Sequence, residues 1–288
     1  MRLSGSLKAL MMAAAMLVIG SAPAAADNSL ERIKKEGKFV VGIYNQAPWG
    51  WRDASGELKG FDVDIIKEAL KPLGIQKIDV VITQFPALIP GLQAGRFDAA
   101  TGGLYITPQR CKLVSFTETT LKVPDAAIVR AGNPKNIRGF ADIANKKDVI
   151  FGATRGSLTA KHADMAGVPK DRQILFQDNQ STMSALLAGR VDVQVSTSGA
   201  AVALLSDPKV QGLERVVPFE GVKDAQGNEV FGNVGVAFRL EDIALRNAFD
   251  AEIGRMKQDG RLLEIMKRYG FTESETAATT PRDQLCKE

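Results

Sequence analysis

This chain is poor in the residues from which metal centres and disulfide scaffolds are built. It has two cysteines, one histidine, two tryptophans and three tyrosines in 288 residues. Two isolated cysteines and the single His162 do not make a ligand cluster, so no metal and no other cofactor is expected. Long hydrophobic runs are missing too. Beyond the N-terminal segment, no stretch reaches the roughly 18 apolar residues that a membrane-crossing helix needs. Nor is there an excess of one charge. Leaving out Arg2 and Lys8 takes the 37 basic residues to 35 against 33 acidic ones, a net charge of +2 for residues 27–288. No lysine and arginine stripe stands out, which argues against nucleic acid as a partner.

What is present begins with an export signal. Arg2 and Lys8 form a charged region, Leu10 to Gly20 an apolar one, and Ala24-Ala25-Ala26 a small-residue cleavage site, so residues 1–26 are expected to be removed. The mature chain is then exported and soluble, and long enough for two domains of ordinary size. In an oxidising compartment Cys111 and Cys286 are expected to pair as a disulfide. Such a bond would tie the C-terminus to the turn that carries Arg110.

Short apolar runs alternate with helical patterns. Strands are predicted at Phe39–Ile43, Val80–Ile82 and Phe97–Thr101, with a helix burying Ile65, Ile66, Ala69, Leu70 and Leu73 between the first two. The same β-α-β-α-β order restarts at Val149–Ala153, Ile174–Phe176 and Val191–Val195. Even the letters repeat. Leu92-Gln93-Ala94-Gly95-Arg96-Phe97-Asp98 matches Leu186-Leu187-Ala188-Gly189-Arg190-Val191-Asp192, each a helix end with a glycine cap feeding a buried strand. Two mostly parallel sheets follow, with ligand sites expected beyond the carboxyl ends of their strands. Phe231–Phe238 reads as a further strand, and Glu241 to Tyr269 as a helical region returning to the first unit. Two crossings between units make a hinge, and hinges permit closure around a ligand.

The stretch from Phe85 to Phe116 concentrates the chemistry. Phe85-Pro86 opens a helix, with proline at a tolerated first-turn position. Gly102-Gly103 lets a ligand or second backbone come close. Thr107-Pro108 is a threonine cap followed by proline at N1, which puts Arg110 near N3. A guanidinium beside free backbone N–H groups is a site for a carboxylate. Phe85 and Tyr105 flank it. Ser157 and Thr159 read as an N-cap around Leu158, Thr197 ends a repeat strand facing the cleft, and His162, between Lys161 and Asp164, reads as a solvated surface residue. Trp51 reads as structural.

Several spaced motifs resemble the family 3 extracellular solute-binding proteins, the periplasmic amino-acid receptors of ABC importers. They are Gly60-Phe61-Asp62-Val63-Asp64-Ile65, the run Leu88 to Asp98, Ile106-Thr107-Pro108-Gln109-Arg110, and Arg261-Leu262-Leu263 with Tyr269-Gly270. Within the family, Asn45 to Trp51, Leu104 to Cys111 and Ala131 to Asn136 look most like ectoine/hydroxyectoine-binding proteins. The resemblance implies a two-lobed α/β type II binding-protein fold with a two-strand hinge. Lobe 1 would comprise 27–122 and 233–288, and lobe 2 123–232. It also implies a monomer that hands its ligand to a membrane permease. Carried over by position, it makes Trp49, Phe85 and Tyr105 an aromatic box and Arg110 the carboxylate clamp. Ser157 and Leu158 become second-lobe contacts, with Gln46, Gly103 and Thr197 completing the set. Two positions depart from the pattern. Gln46 stands where ectoine receptors are expected to carry an acid, and Thr197 where amino-acid receptors usually place an aspartate. A small zwitterion whose positive end rests on aromatic faces is the expected ligand. A polar amino acid or opine is the alternative within the class, and a cyclohexadienyl-type dehydratase is the alternative outside it.

Overall fold

The computed structural model describes residues 29–287 except 225, 226, 228 and 272–279, so the expected export segment lies outside the described residues. The chain forms two five-stranded sheets joined by a two-stranded ribbon. In the first sheet Lys77–Thr83, Lys38–Tyr44 and Ala99–Thr101 run parallel, and Ala237–Phe238 joins antiparallel between Ala99–Thr101 and Ser115–Phe116. In the second, Gln173–Phe176, Phe151–Thr154 and Val193–Thr197 run parallel, and Asp125–Arg130 and Leu213–Arg215 are added antiparallel. Each sheet is thus the predicted parallel unit, extended by antiparallel strands from elsewhere in the chain. This is the two-lobed α/β architecture that the alternating pattern calls for.

The letter repeat has a structural cause. Gly95 and Gly189 take left-handed φ values of 68° and 70° just past the helices Leu88–Gln93 and Asn179–Leu187. The aspartate closing each motif then clamps the neighbouring strand. Asp98 accepts from the Val40 N–H at 2.9 Å, and Asp192 from the Ile150 N–H at 2.9 Å. Their own N–H groups donate back to the carbonyls of Val40 and Ile150, at 2.7 and 2.8 Å. Arg32 covers Asp98 and Arg130 covers Asp192. Because these junctions use up the first two residues of each apolar run, the strands start at Ala99 and Val193 rather than at Phe97 and Val191.

The chain leaves the first sheet through Leu121–Val123 and returns through Gly232–Val234, and these two short strands pair antiparallel. The apolar run predicted as one strand over Phe231–Phe238 therefore splits. Gly235 turns its N–H to the Leu104 carbonyl, and Ala237–Phe238 begins separately. The helical region beyond it is two helices, Ile243–Gln258 and Arg261–Arg268, parted at Gly260 with φ 84°. Phe249 of the longer helix packs on Phe39 and Phe238 of the first sheet, at ring distances of 5.6 and 5.0 Å. Aromatic pairs of this kind add about 0.5–1.5 kcal/mol beyond their buried area. Cys111 and Cys286 form the expected disulfide, with Cα atoms 5.6 Å apart.

Candidate functional site

Tyr44, Thr101, Thr154 and Thr197 are the last residues of four parallel strands, two from each sheet. Their carboxyl ends meet around one partly open cavity with about 440 Å³ of atom-free space. Every site residue expected from the sequence lines it: Gln46, Trp49, Phe85, Gly103, Tyr105 and Arg110 from one side, and Ser157, Leu158 and Thr197 from the other. Gly102, read with Gly103 as a point of close ligand approach, lines it too, as do Tyr44, Thr154, Thr159, Asn179 and Ser196, which the sequence reading did not place there. A signal for Tyr44 and Thr154 existed, since both close strands at the edge where such folds bind ligands.

On the first side the floor is the Gly102-Gly103 turn, with φ values of 134° and 68°. Asp62, buried at the start of the helix Phe61–Leu70, holds that turn. Its Oδ2 accepts from Thr101 Oγ1 at 2.6 Å and from the N–H groups of Gly102 and Gly103 at 3.0 and 2.9 Å. Burial raises the Asp62 carboxyl to about 6 even against these three donors. A Cβ on Gly103 would sit 2.7 Å from Cε2 of Trp49, so glycine is what lets the indole lie against the turn. Phe271 packs on the same indole at 5.4 Å and Phe61 meets it edge-on at 6.3 Å. Trp49 is accordingly only 2% exposed and shows the cavity just the part that these neighbours leave free. Trp51 is not part of the lining; it meets Tyr269 edge-on at 6.0 Å.

Arg110 sits in a single helical turn, Pro108–Cys111, capped by Thr107 Oγ1, which accepts from the Arg110 N–H at 3.3 Å. That turn is too short to carry much dipole, so any attraction for an anion rests on the guanidinium itself. Nη1 donates to the Tyr105 carbonyl at 2.7 Å and Nη2 to the Gly156 carbonyl at 2.9 Å. The guanidinium carbon lies 5.4 Å from the centre of the Phe85 ring. Burial lowers its pKa to about 10, and among the described residues no carboxylate pairs with it. A guanidinium has five N–H donors, so capacity for a carboxylate remains.

On the second side the hydroxyls of Ser157 and Thr197 are N-caps, accepting from Ala160 N–H and Ala200 N–H at 3.2 Å each. A capping hydroxyl still has its own O–H to donate. Gln46 turns its Nε2 to the Ala47 carbonyl at 2.9 Å. Among the described residues, the hydrogen bonds that join the two sides directly include the following three. Asn179 N–H donates to the Tyr44 hydroxyl at 2.9 Å, Arg110 Nη2 to Gly156, and Lys161 Nζ to Gln109 Oε1 at 3.0 Å. Burial pushes the Tyr44 phenol up to about 12, so it stays protonated throughout the ordinary pH range. Arg155 donates to the Leu175 carbonyl at 3.3 Å.

One expectation is overturned. His162 is not a solvated surface residue: its side chain is 1% exposed, hydrogen-bonded through Nδ1 to Asp125 and met edge-on by Phe140. The charged neighbours Lys161 and Asp164 misled the reading. They face outward, whereas Thr159, Ala160, His162 and Ala163 form the buried face of the helix Leu158–Met165.

The geometry agrees with known proteins. A probable amino-acid ABC transporter periplasmic-binding protein of Sinorhizobium fredii is 30% identical over 279 residues, covering 95% of this chain and 91% of its own. The crystal structure of EhuB in complex with hydroxyectoine superposes with a TM-score of 0.82 at 35% identity, covering 91% of this chain and 99% of EhuB. An ancestral amino-acid-binding protein described as a precursor of cyclohexadienyl dehydratase gives a TM-score of 0.72 at 28% identity, over 84% of this chain and 99% of its own. The profile of the bacterial extracellular solute-binding proteins, family 3, matches residues 39–273, and this chain belongs to that family.

Proposed function

We propose that the protein is a periplasmic receptor for a small carboxylate-bearing zwitterion of the ectoine and hydroxyectoine kind. In this reading it acts as a monomer, with lobe 1 from 27–122 and 233–288 and lobe 2 from 123–232, closes on the solute, and delivers it to an ABC permease. The observation that carries the reading is Arg110: a half-buried cation lining the cavity, with two donors on carbonyls and, among the described residues, no carboxylate to neutralise it. Phe85, Tyr105 and the free part of Trp49 supply the aromatic surface for the solute's positive end, and Ser157, Leu158 N–H and Thr197 meet it on closure. The hydroxyectoine complex of the EhuB relative supports this class of ligand.

A polar amino acid or opine is the second reading, favoured by the S. fredii relative. A thermal-shift screen of the chain from residue 27 against ectoine, hydroxyectoine, betaines, opines and amino acids separates the two. Ectoines should raise the melting temperature most; a common amino acid doing so while ectoines do nothing would replace the first reading with the second. A dehydratase reading has less support. General acid chemistry needs a titratable donor within reach of the leaving group, and among the described residues no Asp, Glu or His lines the cavity. Asp178 caps a helix and Glu118 pairs with Arg282 instead. Turnover of prephenate or arogenate would overturn the receptor reading.

A further inference from the structure

Resting on the receptor reading, we infer that Asp125 supplies the negative charge for the ligand's positive end, acting from behind the Tyr105 ring. Among the described residues no anion lines the cavity, and two of the three aromatic walls are partly occupied by the protein itself. Arg110 lies near the Phe85 ring, and Gly103, Phe61 and Phe271 crowd Trp49. Tyr105, itself only 3% exposed, is the third wall, and what stands behind it is unusual.

Asp125 is the antiparallel ladder partner of Thr197, so its side chain projects from the same face of the second sheet as a residue that lines the cavity. Its Oδ2 is held by His162, one helical turn beyond the cavity-lining Thr159. The Tyr105 ring packs against Gly232, where a Cβ would fall 2.1 Å from Cζ, and Gly232 pairs with Val123, two residues before Asp125. The tip of the phenol and the carboxylate therefore share one buried region at the crossing between the sheets. Both are incompletely satisfied: the Tyr105 hydroxyl and Asp125 Oδ1 are buried with no hydrogen-bond partner among the described residues. They also sense each other, since burial first and then the charge of Asp125 push the Tyr105 phenol well above its ordinary pKa.

A phenol O–H and a carboxylate oxygen are complementary donor and acceptor, and although this structure shows no hydrogen bond between them, in this inference they pair when the ligand's cation is bound. A ring whose hydroxyl donates to a carboxylate becomes more electron-rich, and its face attracts a cation more strongly. The pair would thus serve the positive end of a zwitterion from a position that Gln46 and Thr197 do not fill.

The test compares two probes that share a carboxylate on a six-membered ring. Ectoine carries a cationic ring, and cyclohexanecarboxylate carries none. Affinities of the wild type, Asp125→Asn and Tyr105→Phe are measured by NMR titration, with thermal unfolding as a check on folding. Asp125→Asn should weaken ectoine at least tenfold while changing cyclohexanecarboxylate less than twofold. Tyr105→Phe, which removes only the hydroxyl, should shift the same ratio in the same direction. Equal losses for both probes, or no loss for ectoine, would overturn the inference and leave the receptor reading intact. If the wild type binds neither probe, both fall, and Arg110 loses its role with them.

Discussion

Asp62 offers a prediction whose sign and size both come from its surroundings. The carboxyl is buried, accepts three hydrogen bonds from the Thr101-Gly102-Gly103 turn, and is raised from 3.8 to about 6 chiefly by burial. Between those two values the native protein holds a proton that the unfolded chain has released. Native stability therefore falls as pH rises through this window, and the cost is complete above the native value. That rise from 3.8 to about 6 corresponds to about 3 kcal/mol at most. Asp62→Asn cannot titrate. The stability of the variant minus that of the wild type, from urea denaturation at pH 4, 5, 6 and 7, should climb with pH by up to about 3 kcal/mol. The absolute offset depends on how well an amide replaces the three-donor acceptor, so the slope is the measurement that counts. A difference that stays flat from pH 4 to pH 7 would refute the reasoning.

Three further outcomes are expected. Arg110→Ala should weaken ligand binding at least about tenfold, or 1.4 kcal/mol, by calorimetry; unchanged affinity would remove the clamp. Gly103→Ala must adopt a left-handed φ of 68° and place its Cβ 2.7 Å from Trp49, so it should lose about 2–5 kcal/mol of stability from strain and overpacking together. A urea midpoint within error of the wild type would contradict that. Replacing Cys111 and Cys286 by serine opens a link across 175 residues and should cost about 2–4 kcal/mol, read as a drop in unfolding free energy under non-oxidising conditions.

The fold was legible because its central strands are short buried runs separated by helices with one apolar face, and because the Gly95 and Gly189 junctions repeat almost letter for letter. Strand starts were misplaced by two residues, since hydrophobicity does not reveal that Asp98 and Asp192 bind the neighbouring backbone. The cavity wall from Phe85 to Arg110 was readable from turn and capping chemistry, and the family resemblance supplied Gln46 and Trp49. Tyr44 was missed because it ends a strand as one more apolar letter, and its hydroxyl meets the Asn179 N–H 135 positions away. His162 failed for the opposite reason. Its sequence neighbours are charged, but one residue along a helix turns the side chain about 100°, enough to pass from solvent to the buried face against Asp125.

The contact between Lys161 and Gln109 uses no group that borders the cavity. Its strength therefore adds to whatever holds the jaws shut, independently of the cargo. A dissociation constant for this receptor then measures two quantities at once, the fit of the solute and the readiness of the empty shell to close. Trimming Gln109 should loosen every cargo by the same factor, a signature distinct from any change inside the chamber.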